Sequence, residues 1–148
     1  MYNNLENIAS TIDNLSKKDW KKLFDLIPRI EQTKHFTLEK GLEKDPVSGD
    51  IIIKPISEKK IVRELVYILD ELNLLIDFNW VDWKEGREID VGKDFENQDT
   101  ITLLKLISAY IRNDRYCDGL LASKFENRSI EKILKQIKKN IENNSNTQ

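Results

Sequence analysis

Apolar side chains return every three or four residues in stretch after stretch of this chain, and that rhythm restricts it to a fold of packed amphipathic helices. Leu5, Ile8, Ala9, Ile12 and Leu15 keep the spacing, so residues 2–14 read as a first helix. Ser16 with Asp19 three places on reads as a helix start, although Asp is short for the reciprocal cap that Glu makes. Trp20, Leu23, Phe24, Ile27 and Ile30 share one face of the second helix, which Pro28 should kink or end nearby. Ile61, Val62, Leu65, Val66, Ile68, Leu69 and Leu72 form a wide stripe, predicting the central and most buried helix, with Pro55 and Ser57 before it. Asp99 should cap a helix from about 100 to 112, and Leu120, Leu121 and Phe125 mark a short one. Ser129 should cap the last helix, carried by Ile130, Ile133, Leu134, Ile137 and Ile141.

Two stretches break the rhythm. His35–Leu38 and Ile51–Lys54 are β-prone and flank turn formers from Asp45 to Asp50, which predicts a small hairpin between these two runs. Leu74 to Asp99 has no clear period and reads as an irregular acidic connection with one helical turn at most. The expected fold is therefore mainly α: a single helical domain of about six helices over residues 1–142, with a β-hairpin insertion and a frayed polar tail at 143–148.

Composition excludes several classes of function. With 148 residues, 39% hydrophobic and 34% charged, the chain can bury a core without staples. One Cys forbids an internal disulfide, and one His beside it leaves no set for a structural zinc. A net charge of −2 argues against a general affinity for nucleic acid. No run approaches the roughly 18 apolar residues of a membrane span. Met1 to Glu6 carry neither a basic nor an apolar leader pattern, so a cytoplasmic protein is the expectation. No phosphate loop, nucleophile elbow or metal-ligand spacing occurs, so neither cofactor nor metal is expected.

Two clusters gather the rarer residue types. Arg112-Asn113-Asp114-Arg115-Tyr116-Cys117-Asp118-Gly119 sits between two helical stretches. Its arginines suit a phosphate or carboxylate, with Asp114 orienting one guanidinium. The competing reading is a structural joint, in which Asp114 or Asp118 caps the next helix and the arginines pair internally. Trp80 and Trp83 flank Asp82. They make either a wall for a flat ligand or a lid on the core, with Arg112 or Arg115 laid across an indole as a variant. Cys117 beside Arg115 and a helix start could be a nucleophile, but the only imidazole, His35, lies far off in sequence and Asp118 opposes a thiolate, so an inert buried residue is the preferred reading.

Gly49, Pro55, the Asp77-Phe78-Asn79-Trp80-Val81-Asp82-Trp83 stretch and the run Arg112 to Leu121 together resemble the bacterial family catalogued as domain of unknown function 6508. The run from Arg112 is similar to that family's Arg-x-Asp-Arg-aromatic-x-acidic-Gly-x-Leu pattern. The likeness extends from about residue 49 to the end of the last helix, and nothing in residues 1–48 matches. Many members carry Asp-Trp where this chain has Asn79-Trp80, and His where it has Leu120. The resemblance implies a small, mainly helical bacterial protein and supplies no activity.

The leading expectation is a non-catalytic binding or regulatory module. Its pocket would be made by Trp80, Trp83, Arg112 and Arg115, with Asp82 and Asp114 orienting the arginines, for a peptide, a protein surface or a small anion. The runner-up is an enzyme on a phosphorylated or carboxylated metabolite, with Asp114 or Asp82 as base. An RNA-binding surface on Lys132, Lys135, Lys138 and Lys139 ranks third.

Overall fold

The computed structural model describes residues 2–38, 42–53 and 57–146. The N-terminal segment is not helical from Tyr2: it begins as a two-residue strand, β1 (Asn3–Asn4), and the first helix, α1, spans Ile8–Asn14. Asn4 is the reason, since its side-chain carbonyl accepts from the N–H groups of Glu6 at 2.8 Å and Asn7 at 3.3 Å, a local turn that competes with helix. Ser16 caps α2 (Lys17–Phe24) more fully than expected. Its Oγ accepts from the Asp19 N–H at 3.1 Å, and the Asp19 carboxylate accepts from the Ser16 N–H at 3.0 Å. The same bonds hold the Asp19 carboxyl below its ordinary pKa. The chain then turns at Asp25 and restarts as α3 (Leu26–Gln32). Pro28 therefore falls in the first turn of α3, where a missing N–H leaves no bond unmade.

Four short strands follow: β2 (Thr37–Leu38), β3 (Leu42–Lys44), β4 (Ile51–Ile53) and β5 (Ser57–Glu58). The hairpin around Asp45–Asp50 forms, but its first strand is β3 and not His35–Leu38, with Leu42 opposite Ile53 and Lys44 opposite Ile51. A tight turn selects the nearest partner: Asp45 accepts from the Val47 N–H at 2.9 Å, and Gly49 takes the left-handed φ of 74° that closes the loop. β2 pairs with β5 instead, antiparallel. Lys54 and Pro55, assigned above to the hairpin and the next helix start, lie outside the described residues.

α4 (Lys60–Glu71) leads to β6 (Ile76–Asp77), which pairs in parallel with β1. The supposedly irregular acidic stretch contains a full helix, α5 (Lys84–Gly92). α6 (Thr100–Asp114), α7 (Leu120–Glu126) and α8 (Ser129–Asn146) complete eight helices among the described residues. The expected six become eight because the acidic stretch holds α5 and the expected kinked helix is two, α2 and α3. α6, not α4, is the central helix. It buries Leu103, Leu104, Leu106, Ile107, Tyr110 and Ile111, and packs against α5, α7, α8 and β6. Asp99 caps it as expected, accepting from the Thr102 N–H at 2.7 Å. No helix among the described residues is long and apolar enough to cross a membrane.

Ser129 does not cap α8. Its buried Oγ has no partner, and its N–H donates to the Asn127 side chain at 3.0 Å. Arg128 takes a positive φ of 68° and donates to the carbonyls of Ile30 at 2.9 Å and Thr33 at 2.8 Å, so the start of α8 is fastened to the end of α3. The polar residues from Asn143 continue α8 to Asn146 where a frayed tail was expected, and Thr147 and Gln148 lie outside the described residues.

Buried Ser108 joins α6 to β6: its Oγ accepts from the Ile76 N–H at 2.9 Å and donates to the Leu104 carbonyl at 2.8 Å. Ser108→Ala strands a buried N–H and is expected to cost roughly 1–3 kcal/mol. The measurement is a urea midpoint, which should fall with an unchanged slope. A midpoint equal to that of the parent protein would refute this role for the hydroxyl.

Candidate functional site

Three helices each contribute one face to a single hollow. The turn before α5 supplies Trp80 and Val81, and Trp83, Gly86, Arg87 and Asp90 follow at positions i, i+3, i+4 and i+7 along α5. α6 answers with Leu106, Ala109, Tyr110 and Asn113 in the same spacing, and α7 adds Leu120 and Lys124. The space between them is about 390 Å³, within the range that small-molecule sites occupy.

Both tryptophans border this space and neither is enclosed. Trp83 meets Phe78 edge-on, centroids 5.3 Å apart, and Gly86 lies directly under its six-membered ring. Trp80 stacks on the exposed Tyr116 at 6.5 Å. The cation over an indole is Lys105, whose Nζ stands 4.4 Å from the Trp83 ring, and neither Arg112 nor Arg115 takes that place.

One wall of the hollow is a closed polar group. The Asp90 carboxylate accepts from the Tyr110 hydroxyl at 2.5 Å and from Lys124 Nζ at 2.9 Å, and that ammonium also lies 5.0 Å from the centre of the Tyr110 ring. Burial, with the Asp90 carboxylate second, pushes the Tyr110 phenol far above its ordinary pKa, so it stays protonated and donating. Arg87 is held differently. One Nη donates to the Val81 carbonyl, and no carboxylate among the described residues pairs with it.

The arginines singled out in the sequence sit elsewhere on α6. Arg112 donates to Asp77 at 2.6 Å and lies 4.2 Å over the Tyr2 ring, with its Nε buried and unpartnered. Arg115 is exposed and lines a second hollow of about 470 Å³ with Tyr2, Arg63, Tyr67 and Asp114. Asp114 is committed to structure. Its Oδ1 accepts from the Leu121 N–H at 2.9 Å, capping α7, and its Oδ2 meets Arg63 at 3.3 Å. Asp82 is exposed and accepts from Asn79 at 2.9 Å. The structure thus brings Trp80 and Trp83 together, but Asp82, Arg112, Asp114 and Arg115 are not among the residues that line their hollow. Cys117 is exposed, not buried.

Arg87, Asp90, Tyr110 and Lys124 line the hollow although the sequence does not single them out, and Asn113 stands out there only as part of the Arg112–Gly119 run. The i, i+3, i+4, i+7 spacing from Trp83 to Asp90 was the available signal, but the two glycines and sparse apolar residues of α5 hid it. Among the described residues no group of three or more His, Cys, Asp or Glu is placed to hold a metal.

The sequence model of a family described only as a family of unknown function, DUF6508, matches residues 15–143. That match reaches well upstream of residue 49, where the motif resemblance begins. No curated protein and no solved structure matched the chain.

Proposed function

The chain belongs to the family of unknown function DUF6508, which brings no activity with it, so we propose a function from the site alone: a non-catalytic module that binds a small ligand between Trp80 and Trp83. One observation carries the reading. Two half-buried indoles open onto one hollow whose lining also includes the apolar Val81, Leu106, Ala109 and Leu120. Half-covered aromatic rings beside a cavity leave apolar area that a flat ligand would remove from water. Of the two carboxylates that an enzyme reading would take as base, Asp114 is engaged at both oxygens by Leu121 and Arg63, and Asp82 lies outside the hollow and accepts from Asn79.

The test is a titration with naphthalene-2-carboxylate and naphthalene-2-carboxamide, followed by the indole Nε1–H and backbone amide resonances. The expected shifts cluster on Trp80, Trp83, Gly86, Ala109 and Asn113. Ala109→Trp fills the hollow from the α6 wall and should weaken binding by at least tenfold while the fold persists. Shifts confined to other surfaces, or none with either compound, would overturn the reading.

A further inference from the structure

The charges around the hollow do not balance, and the surplus lies on one residue. Asp90 is offset by Lys124 at 2.9 Å and further held by the Tyr110 hydroxyl, so this trio presents little net charge to a ligand. Arg87, on the neighbouring turn of α5, has no acidic partner among the described residues, and its single bond is to the Val81 carbonyl. Its remaining guanidinium N–H groups are unclaimed. Across the hollow on α6, the Asn113 side chain likewise makes no bond, although its backbone carbonyl accepts from Tyr116 and Cys117 at 3.0 Å. Arg87 with unclaimed guanidinium N–H groups, Asn113 with an unbonded carboxamide, and the two tryptophans therefore line one space of about 390 Å³.

We infer that the ligand of this hollow is a small organic monocarboxylate with a flat apolar body, its ring against Trp80 and Trp83 and its carboxylate on Arg87 and Asn113. The assignment rests on the binding reading above and adds the ligand's charge and shape. A guanidinium matches the planar fork of a carboxylate, and this one is paired with no carboxylate among the described residues, Asp90 being taken up by Tyr110 and Lys124. A cationic ligand would meet Arg87 and Lys124 with no free acid to answer it. A neutral ligand would form no charge-assisted pair with the guanidinium.

Calorimetric titration of the full chain compares three probes of one shape: naphthalene-2-carboxylate, naphthalene-2-carboxamide and 2-naphthylmethylamine. The carboxylate should bind about tenfold or more tightly than the amide, as expected of a charge-assisted pair, and the amine weakest. Arg87→Gln should bring acid and amide to within about threefold while amide affinity is retained. Arg115→Gln, on the other hollow, should leave the ratio as it was. If the amide binds and shifts the indole signals but the acid gains nothing, the carboxylate assignment fails and the binding reading stands. If no probe binds, both fail. If a short peptide ending in Phe binds tenfold more tightly than the free acid, the occupant is a chain terminus and the small-molecule assignment is wrong.

Discussion

Phe125→Ala lowers the unfolding free energy by about 3–5 kcal/mol, a large part of the 5–15 kcal/mol that holds a domain together. Phe125 is completely buried on α7, and its ring meets that of the equally buried Phe36 at 5.1 Å with the planes tilted by 44°. The loss has two parts: the transfer energy of the ring, and a cavity that the surrounding helices close only in part. Phe36 lies at the entry to β2, and its N–H donates to the Glu126 carboxylate at 2.7 Å. The substitution therefore also loosens the tie between α7 and the strand segment. Urea unfolding followed by far-UV circular dichroism measures it. A change under about 1 kcal/mol would mean that this aromatic pair is not part of the core.

Gly86→Ala is expected to destabilise by about 1–3 kcal/mol, reversing the usual sign of that change. In an open helix, alanine in place of glycine is worth up to about 1 kcal/mol in the protein's favour. At Gly86 the new Cβ would stand 2.2 Å from Cε3 and 2.5 Å from Cζ3 of Trp83, far inside contact. Either the indole leaves its place beside Phe78 and Lys105, or α5 moves away from it. Near-UV circular dichroism should lose part of its tryptophan signal as the melting temperature falls, and probe binding in the hollow should weaken with it. Gly92 is the control: nothing lies within 4 Å of its would-be Cβ, so Gly92→Ala should be neutral or mildly stabilising. A Gly86→Ala protein with full stability and an unaltered tryptophan signal would refute the placement of that ring.

The helices were legible wherever periodic apolar residues coincided with a capping signal. Ser16 with Asp19, and Asp99 with Thr102, form the bonds their spacing implies. α5 was illegible because its stabilisation does not come from an apolar stripe. Its buried contact is a glycine, Gly86, that admits an indole, and its polar Asp90 reaches Tyr110 and Lys124 on two later helices. Partners 20 and 34 residues away leave no local trace. The strand β1 was hidden for a similar reason. Asn3 pairs with Ile76 in parallel, while Leu5 and Ile8 alone suggest helix. At the site, residue type points to the tryptophans, and both line one hollow. It points to the arginines too, but which side of α6 a residue faces depends on its phase along the helix. Leu106, Ala109, Tyr110 and Asn113 turn toward α5, while Ile111, Asp114 and Arg115 turn toward the other hollow.

Arg128 gives the order of synthesis a physical meaning. The ribosome makes Ile30 98 residues before the guanidinium that will occupy its carbonyl, and it makes Asn3 70 residues before the Asn73 carbonyl that will receive its carboxamide proton. Until those later residues emerge, the first helices have an apolar face without its cover. Closing such distant pairs costs chain entropy before any contact repays it, which slows folding relative to a bundle of sequential neighbours. A nascent chain halted before Arg128 should accordingly be open to protease across its first thirty or so residues, and should become resistant only once α8 has left the tunnel.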